Sequence, residues 1–257
     1  MTHPNFQLND SLSYFNHAAV APWPLRTKLA VQQFAEENAT QGSLRYMEWL
    51  KVEDDLRLKL AQLINAPSKD DIALLKNTSE ALSIVAYGLS WQAGDNIVIS
   101  DQEFPSNRIV WESLQDQGVG VRVAALTNGD SPEEAIFSMV DAKTRLIAIS
   151  SVQYASGLRM DLVQLGAFCK QKNILFCVDA IQSVGALSID VNEIQADFLV
   201  ADGHKWMLGP EGLAVFYTTP EARERLNLKQ YGWHMVQDMG NYDAAEWQIA
   251  ESSRRFE

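Results

Sequence analysis

The alternation of short apolar runs with amphipathic segments is the feature that most constrains the fold of this chain. Helical periodicity extends over residues 25–39, 45–64, 78–91, 107–117, 132–139 and 161–172. Strand-like runs occupy residues 71–75, 96–100, 121–126, 145–151, 174–178, 198–201 and 213–217. Strands that alternate with helices form a mainly parallel sheet covered on both faces. The sequence therefore predicts an α/β fold with three αβα layers and a mainly parallel, mixed seven-stranded sheet.

A lysine and an aspartate stand just after two of these runs. Lys205 lies in the loop between 198–201 and 213–217, and Asp179 follows 174–178. Ligands bind at the carboxyl ends of strands in open α/β sheets. An amine among apolar residues becomes a usable nucleophile, and a carboxylate at a strand end can keep a heteroaromatic nitrogen protonated. Ordinary structural explanations stay open, an ion pair for the lysine and a helix cap or salt bridge for the aspartate.

A candidate anion site lies earlier, where the run 71–75 leads into a helix. Asn77 with Glu80 three residues later is typical of a capping box, and the first turn of a helix favours an anion. Thr78 and Ser79 add hydroxyl donors at that end. Because most N-caps bind no ligand, this segment indicates a phosphate site only together with the lysine and the aspartate.

Three ordered motifs give the sequence a specific resemblance. They are Thr78-Ser79-Glu80-Ala81, Asp179-Ala180-Ile181-Gln182 and Gly203-His204-Lys205. In order and spacing the chain, from Tyr14 to Glu257, resembles the class V aminotransferases, a family of fold type I pyridoxal phosphate enzymes. The family includes cysteine desulfurases, kynureninases and isopenicillin N epimerase-like proteins. The resemblance implies pyridoxal 5'-phosphate as cofactor and the family's large cofactor-binding domain as the fold.

The resemblance also assigns roles to individual residues. It implies seven cofactor-binding residues: Thr78, Ser79, Phe104, Asp179, Gln182, His204 and Lys205. Lys205 is the implied catalytic residue, because it forms the aldimine with the cofactor. Asp179 pairs with the pyridine nitrogen, Gln182 with the ring hydroxyl oxygen, and His204 joins the two hydroxyl residues at the phosphate. Phe104 stacks on the cofactor ring, although from its pattern alone it is equally well explained by core packing.

The sequence departs from the pattern of the family at three places. Cysteine desulfurases carry a histidine where this chain has Phe104, and they tend to have an asparagine where it has Gln153-Tyr154. Both differences favour the kynureninase side of the family. Asp202 stands where many relatives use a serine to contact phosphate, and an ionised carboxylate would repel that phosphate. It either orients His204, or is protonated, or leaves the phosphate to other donors, so we do not count it as a cofactor residue.

The resemblance also suggests a domain organisation. Residues 1–24 form an N-terminal arm and residues 25–257 the cofactor-binding domain. In the family this arm lies across the mouth of the active site, which makes Asn16 and His17 candidates for the substrate side, with an ordinary terminal arm as the alternative. The family's smaller C-terminal domain, which carries the arginine for the substrate carboxylate, is expected to be absent from this sequence.

Composition excludes several other classes of protein. A formal net charge of −12 argues against nucleic acid and anionic membranes as partners. Cys169 and Cys177 are expected to be buried thiols, and the four histidines lack the spacing of a metal site, so we predict no metal. With neither a signal peptide nor a membrane-spanning run, we expect a cytoplasmic protein. The partners implied are an amino acid substrate and a second copy in a homodimer.

The sequence therefore favours a pyridoxal phosphate enzyme acting on an amino acid, of the cysteine-desulfurase-like transferase or lyase type. A kynureninase-like hydrolase or an epimerase of the same family is the alternative. A non-catalytic scaffold with this fold is the alternative from another class, because a fold alone does not establish an activity. A dinucleotide-binding domain is disfavoured because no G-x-G-x-x-G motif follows the first strand.

Overall fold

The computed structural model describes residues 4–243 and 245–257. Within these residues seven strands form one sheet: β1 (Ile72–Leu75), β2 (Asn96–Ser100), β3 (Gly120–Ala124), β4 (Thr144–Ser150), β5 (Leu175–Asp179), β6 (Phe198–Asp202) and β7 (Ala214–Thr218). Their order across the sheet is β1-β7-β6-β5-β4-β2-β3. Strand β7 runs antiparallel to both of its neighbours, and the other neighbouring pairs are parallel. The predicted mixed, mainly parallel sheet is confirmed.

Helices cover the sheet and connect its strands. They are α1 (Leu25–Gln41), α2 (Tyr46–Leu63), α3 (Thr78–Gly88), α4 (Ser106–Glu112), α5 (Pro132–Ser138), α6 (Leu162–Lys172), α7 (Val191–Ile194) and α8 (Pro220–Arg223). The helix predicted to reach residue 91 ends at Gly88, because Leu89 adopts an extended backbone. The helix predicted over 107–117 divides into α4 and a 3-10 turn over 115–117. Helices α7 and α8 were not predicted from the sequence, because they are too short to show periodicity.

The core lies on both faces of the sheet. Side chains of β5 alternate, so that Phe176 and Val178 join one apolar cluster while Leu175 and Cys177 join the other. The first cluster contains residues of α2, α5 and α6, and the second contains residues of α3 and α4. All five residues of β5 are buried, as expected for a central strand covered on both sides. The arrangement is the predicted three-layer sandwich.

Both cysteines lie inside this core as free thiols, as predicted. Burial raises the pKa of the Cys177 thiol, and nearby carboxylates, first that of Asp179, raise it further. Burial also raises the pKa of the Cys169 thiol, so neither cysteine is a reactive thiolate near neutral pH. In the part of the chain that the structure describes, no helix is both long enough and apolar enough to cross a membrane.

Candidate active site

A cleft of about 480 Å³ opens at the carboxyl ends of β5 and β6, against the N-terminus of α3. All seven predicted cofactor residues line it: Thr78, Ser79, Phe104, Asp179, Gln182, His204 and Lys205. Parallel pairing of β5 with β6 brings the ends of these strands side by side, with Asp179 opposite Val200. The fold therefore gathers into one cleft residues that lie far apart in the sequence.

Lys205 is buried in this cleft, with 8% of its surface exposed. Burial lowers the pKa of its amine, and the charges of Asp179 and Asp202 oppose that shift. Its Nζ lies 5.6 Å from the ring centroid of Phe104. The amine of Lys205 forms neither a hydrogen bond nor a salt bridge with any described residue. Lys205 therefore has no ion-pair partner in the described part of the chain, and its amine remains the predicted nucleophile of the cleft.

Asp179 ends β5 with only 2% of its surface exposed. Burial raises the pKa of its carboxyl group to about 7. A hydrogen bond of 3.1 Å from the N–H of Ile181 to its Oδ1 opposes the shift, the charge of Glu103 adds to it, and Lys205 opposes it. The carboxylate of Asp179 forms no salt bridge with any described residue. A buried carboxyl group of this kind favours a cationic partner supplied by a ligand.

The N-terminus of α3 has one of the two hydrogen bonds of the predicted capping box. Oδ1 of Asn77 accepts a hydrogen bond of 2.9 Å from the N–H of Glu80. The Glu80 carboxylate accepts from the N–H of Lys76, where a capping box would use the N–H of Asn77. Oγ1 of Thr78 is buried and has no hydrogen-bond partner among the described residues, while Ser79 donates to Ser106 over 2.9 Å. An unpartnered hydroxyl beside free helical N–H groups is suited to an anion's oxygen atoms.

Asp202 lies beside His204 in the same cleft. Its Oδ1 is 2.8 Å from Nδ1 of His204, which is ion-pair distance, although the two atoms are not aligned for a hydrogen bond. Only 6% of the surface of Asp202 is exposed. This contact agrees with the first of the three explanations, in which the aspartate orients the histidine.

The amide of Gln182 is held from two sides. Its Nε2 donates to the carbonyl of Ala18 over 2.9 Å, and its Oε1 accepts from Nε1 of Trp206 over 2.9 Å. Because a primary amide has two N–H donors, one of them stays available to a ligand in the cleft. Gly185, in the turn after β5, has φ +95°, and a Cβ there would come within 2.4 Å of the carbonyl of Trp206. A glycine is therefore required where this turn meets the loop of Lys205.

The N-terminal arm is attached to the lysine loop. The N–H of Ala21 donates to the carbonyl of His204 over 2.9 Å, and Nε1 of Trp23 donates to the carbonyl of Gly209 over 3.1 Å. Asn16 lines the cleft, whereas the ring of His17 stacks on Trp206 with 5.6 Å between ring centroids. Of the two residues considered for the substrate side, Asn16 is the one placed at the cleft.

Two aromatic residues form one wall of the cleft. Phe104 and Tyr154 meet edge to face, with ring centroids 5.2 Å apart. Phe104 remains 42% exposed, so core packing does not explain it. Glu103, which directly precedes Phe104, is 7% exposed and was not among the residues predicted from the sequence. The sequence feature that could have indicated Glu103 is a carboxylate next to an aromatic residue, just after a buried strand.

Comparison with known proteins identifies the family. The sequence model of the Aminotransferase class-V family matches residues 13–257. The chain belongs to this family. Among curated relatives, this class-V chain is 36% identical over 231 residues to a probable cysteine desulfurase of Methanothermobacter thermautotrophicus, covering 88% of the chain and 58% of the relative. A probable cysteine desulfurase of Pyrococcus abyssi is 30% identical over 262 residues, with 97% and 63% covered. The chain thus spans about three fifths of these relatives' length.

Solved structures show the same fold. The cysteine desulfurase CsdA of Escherichia coli is 25% identical, with a TM-score of 0.80 over 93% of this chain and 61% of that protein. The cystine C-S lyase C-DES, in a complex with its reaction product cysteine persulfide, is 24% identical, with a TM-score of 0.85 over 95% and 66%. The class-V chain therefore has the fold type I architecture that its motifs predict.

Proposed function

We propose that this chain binds pyridoxal 5'-phosphate (PLP) at Lys205 and cleaves a carbon–sulfur bond in a sulfur-containing amino acid, as a cysteine-desulfurase-like enzyme. One observation carries the proposal. Lys205 and Asp179 are buried in one cleft at the ends of adjacent strands, and neither has a salt-bridge partner among the described residues. The names of the relatives and structures, cysteine desulfurases and a cystine C-S lyase, support the choice of bond.

The residues of the cleft fit the chemical groups of PLP. The unpartnered hydroxyl of Thr78 and the N-terminus of α3 suit a phosphate. The buried carboxyl group of Asp179 suits a protonated pyridine nitrogen, and the exposed side of Phe104 suits the ring. The free N–H of Gln182 suits the ring hydroxyl oxygen. When bound, PLP supplies an electron sink for the pair released at the substrate's α-carbon.

The chain's own residues would then bind, orient and move a proton. Lys205 would hold the cofactor and transfer the proton at the α-carbon, and burial, which lowers the pKa of its amine, would favour that transfer near neutral pH. Asp179 would place its negative charge at the pyridine nitrogen. With the cofactor in place, the wall of Phe104 and Tyr154 would shield one side of the cleft from water. His204, with Asp202 behind it, adds a donor towards the phosphate.

A kynureninase-like hydrolase is the second candidate. It is favoured by Phe104, which can stack on a ring but cannot transfer a proton as the desulfurase histidine can. We further propose residues 25–257 as the cofactor-binding domain, with residues 1–24 as an arm that helps to close the cleft. The hydrogen bonds from Ala21 and Trp23 to the lysine loop support that role for the arm.

The first test is chemical trapping of the cofactor. We expect the purified chain, supplied with PLP, to develop a visible absorption band, and borohydride followed by peptide mass spectrometry to locate the reduced adduct on Lys205. Release of sulfur from cysteine or cystine, compared with cleavage of kynurenine, then separates the two candidate activities. A colourless protein, or adducts scattered over surface lysines, would favour the non-catalytic scaffold.

Replacing Thr78 with valine tests the phosphate site. Valine keeps the shape of threonine and removes a buried hydroxyl that has no partner among the described residues, so we expect the cofactor-free chain to keep its stability. Loss of a hydrogen bond to a charged phosphate should weaken PLP binding by about tenfold or more. Binding of pyridoxal, which lacks the phosphate, is the control and should not change. Equal weakening of both ligands would place the phosphate elsewhere.

We also propose that the chain forms a homodimer. Helix α1 has no buried residue, although it carries Leu29 and Phe34, each about half exposed. Leu44 and Met47, in the following segment, are more exposed still. An apolar surface of this kind marks an interaction site, and a second copy is the partner that the family resemblance favours. Sedimentation showing only monomer at micromolar concentration would contradict the proposal.

A further inference from the structure

Glu103 is the centre of a buried hydrogen-bond network beside the cleft. Its Oε1 accepts from Oγ of Ser100 over 2.8 Å and from Nε2 of Gln153 over 3.1 Å. Its Oε2 accepts from Nδ2 of Asn107 over 2.8 Å and from Oγ of Ser150 over 2.5 Å. The backbone N–H of Ser150 donates to both oxygens, at 3.1 and 3.0 Å. The network joins the end of β2, the first turn of α4 and the end of β4.

The contacts of Glu103 are those of a hydrogen-bond acceptor. Each of its partners is a donor, which suits a carboxylate that only accepts hydrogen bonds. Within residues 4–243 and 245–257 no cation forms a salt bridge with it, so neutral donors alone hold the buried charge. Burying a charge without a countercharge is costly and is compensated only by several good hydrogen bonds. A role beyond packing is therefore needed to explain why a carboxylate occupies this position.

Its neighbours indicate that role. Glu103 directly precedes Phe104, the ring over the Lys205 amine, and Gln153 directly precedes Tyr154, the other aromatic of the wall. The two aromatic residues lie on separate segments, and the Glu103 carboxylate is bonded to both segments. The charge of Glu103 also acts on Asp179, whose pKa it helps to raise.

We propose that Glu103 is a positioning residue that joins the segments of Phe104 and Tyr154 and so fixes the aromatic wall over Lys205. The proposal rests on the proposed function only in that the wall covers bound PLP. The bonds themselves belong to the chain alone, so they can be tested with or without cofactor.

The test compares Glu103→Gln with Glu133→Gln. Glu133 is equally buried and accepts a bond of 2.8 Å from the N–H of Asp161, away from the cleft, which makes it a matched control. In cofactor-free Glu103→Gln we expect amide hydrogen exchange at Ser150 to accelerate by about tenfold or more, since a bond to a charged acceptor is weakened. We also expect the carboxyl titration of Asp179, followed by carbon-13 NMR, to shift to lower pH. The control should change neither.

With PLP bound, Glu103→Gln should retain the Lys205 adduct but lose intensity in the visible circular dichroism band, because the ring is less firmly oriented. Should Glu103→Gln not fold, Glu103→Asp keeps the charge on a shorter side chain and is expected to show the faster exchange and the weaker dichroism, with the Asp179 titration unchanged. Unchanged exchange, titration and dichroism would overturn the proposal, as would the same changes in Glu133→Gln. If the parent chain binds no PLP, the proposed function fails, and the exchange and titration measurements still decide the role of Glu103.

Discussion

Replacing Lys205 with methionine should abolish covalent binding of PLP and lower turnover by about 10⁴-fold, the upper range for a group that transfers a proton in the transition state. Methionine keeps the length and apolar body of the lysine side chain and lacks only the amine. We therefore expect the visible band to be lost and borohydride to leave no adduct at position 205. Absorption spectroscopy, peptide mass spectrometry and a steady-state assay measure the three effects.

The same substitution should not destabilise the cofactor-free chain. Burial lowers the pKa of the Lys205 amine, so the folded state disfavours its charged form. This cost is present at neutral pH and disappears only as the pH rises past the amine's ordinary value of 10.5. Methionine avoids it, so thermal unfolding at pH 7 should occur at the same or a higher temperature. Lys76→Met, at an exposed lysine beside the N-terminus of α3, is the control and should retain the adduct. An intact adduct signal in Lys205→Met would disprove the central assignment.

Replacing Asp179 with asparagine should lower activity and raise stability. Asparagine keeps the acceptor for the N–H of Ile181 but cannot hold a pyridinium by its charge. Removing one preorganised electrostatic partner typically lowers turnover by about 10²- to 10³-fold. We expect a loss of that size in kcat with the Lys205 adduct still formed. A loss confined to PLP affinity would indicate instead that Asp179 only helps to retain the cofactor.

The effect of Asp179→Asn on the free energy of unfolding depends on pH. Because burial raises the pKa of Asp179 from 3.8 to about 7, the folded, cofactor-free chain binds a proton that the unfolded chain releases. Stability is therefore lost as the pH rises between those values. The loss above pH 7 is on the order of 4 kcal/mol at most. Asp179→Asn removes this cost, so its free energy of unfolding should exceed that of the parent at pH 8 and approach it at pH 4.

Asp141 provides a control in which the same kind of substitution should lower the free energy of unfolding. A hydrogen bond from the side chain of Asn96 lowers the pKa of the Asp141 carboxyl group, with further help from the N–H of Lys143. Its contribution is present above the ordinary carboxyl pKa and is lost as the pH falls. Asp141→Asn should therefore be less stable than the parent at pH 8, as measured by urea unfolding. If both asparagine variants changed in the same direction, the buried charge of Asp179 would not be the cause.

The candidate site could be predicted from sequence to the extent that its residues lie in local patterns. Asn77 and Glu80 specify a helix start, and the structure has the predicted bond from the N–H of Glu80 to the side chain of Asn77. Asp179 and Lys205 follow apolar strands, so their position at the carboxyl edge follows from strand direction alone. The sequence did not decide whether the Phe104 side chain is exposed. Stacking on a ring in a cleft and packing in a core both use the same type of residue.

Contacts between distant segments could not be predicted in this way. The pairing of Gln182 with Trp206 and Ala18, and the binding of Glu103 to the end of β4, join residues on separate elements. No periodicity encodes such pairs. The sequence likewise allowed three explanations of Asp202, and only its placement 2.8 Å from His204 favours one of them.

By itself, then, the sequence determined the alternating strands and helices, the seven-stranded sheet and the cleft edge at which the chemistry must lie, because these depend on local hydrophobic pattern and chain direction. The tertiary structure alone decided the protonation environment. The pKa of Asp179 reaches about 7 and that of Lys205 falls because strands from distant parts of the chain exclude water from both groups. Burial is a property of the packed layers, and no single segment of this sequence specifies it.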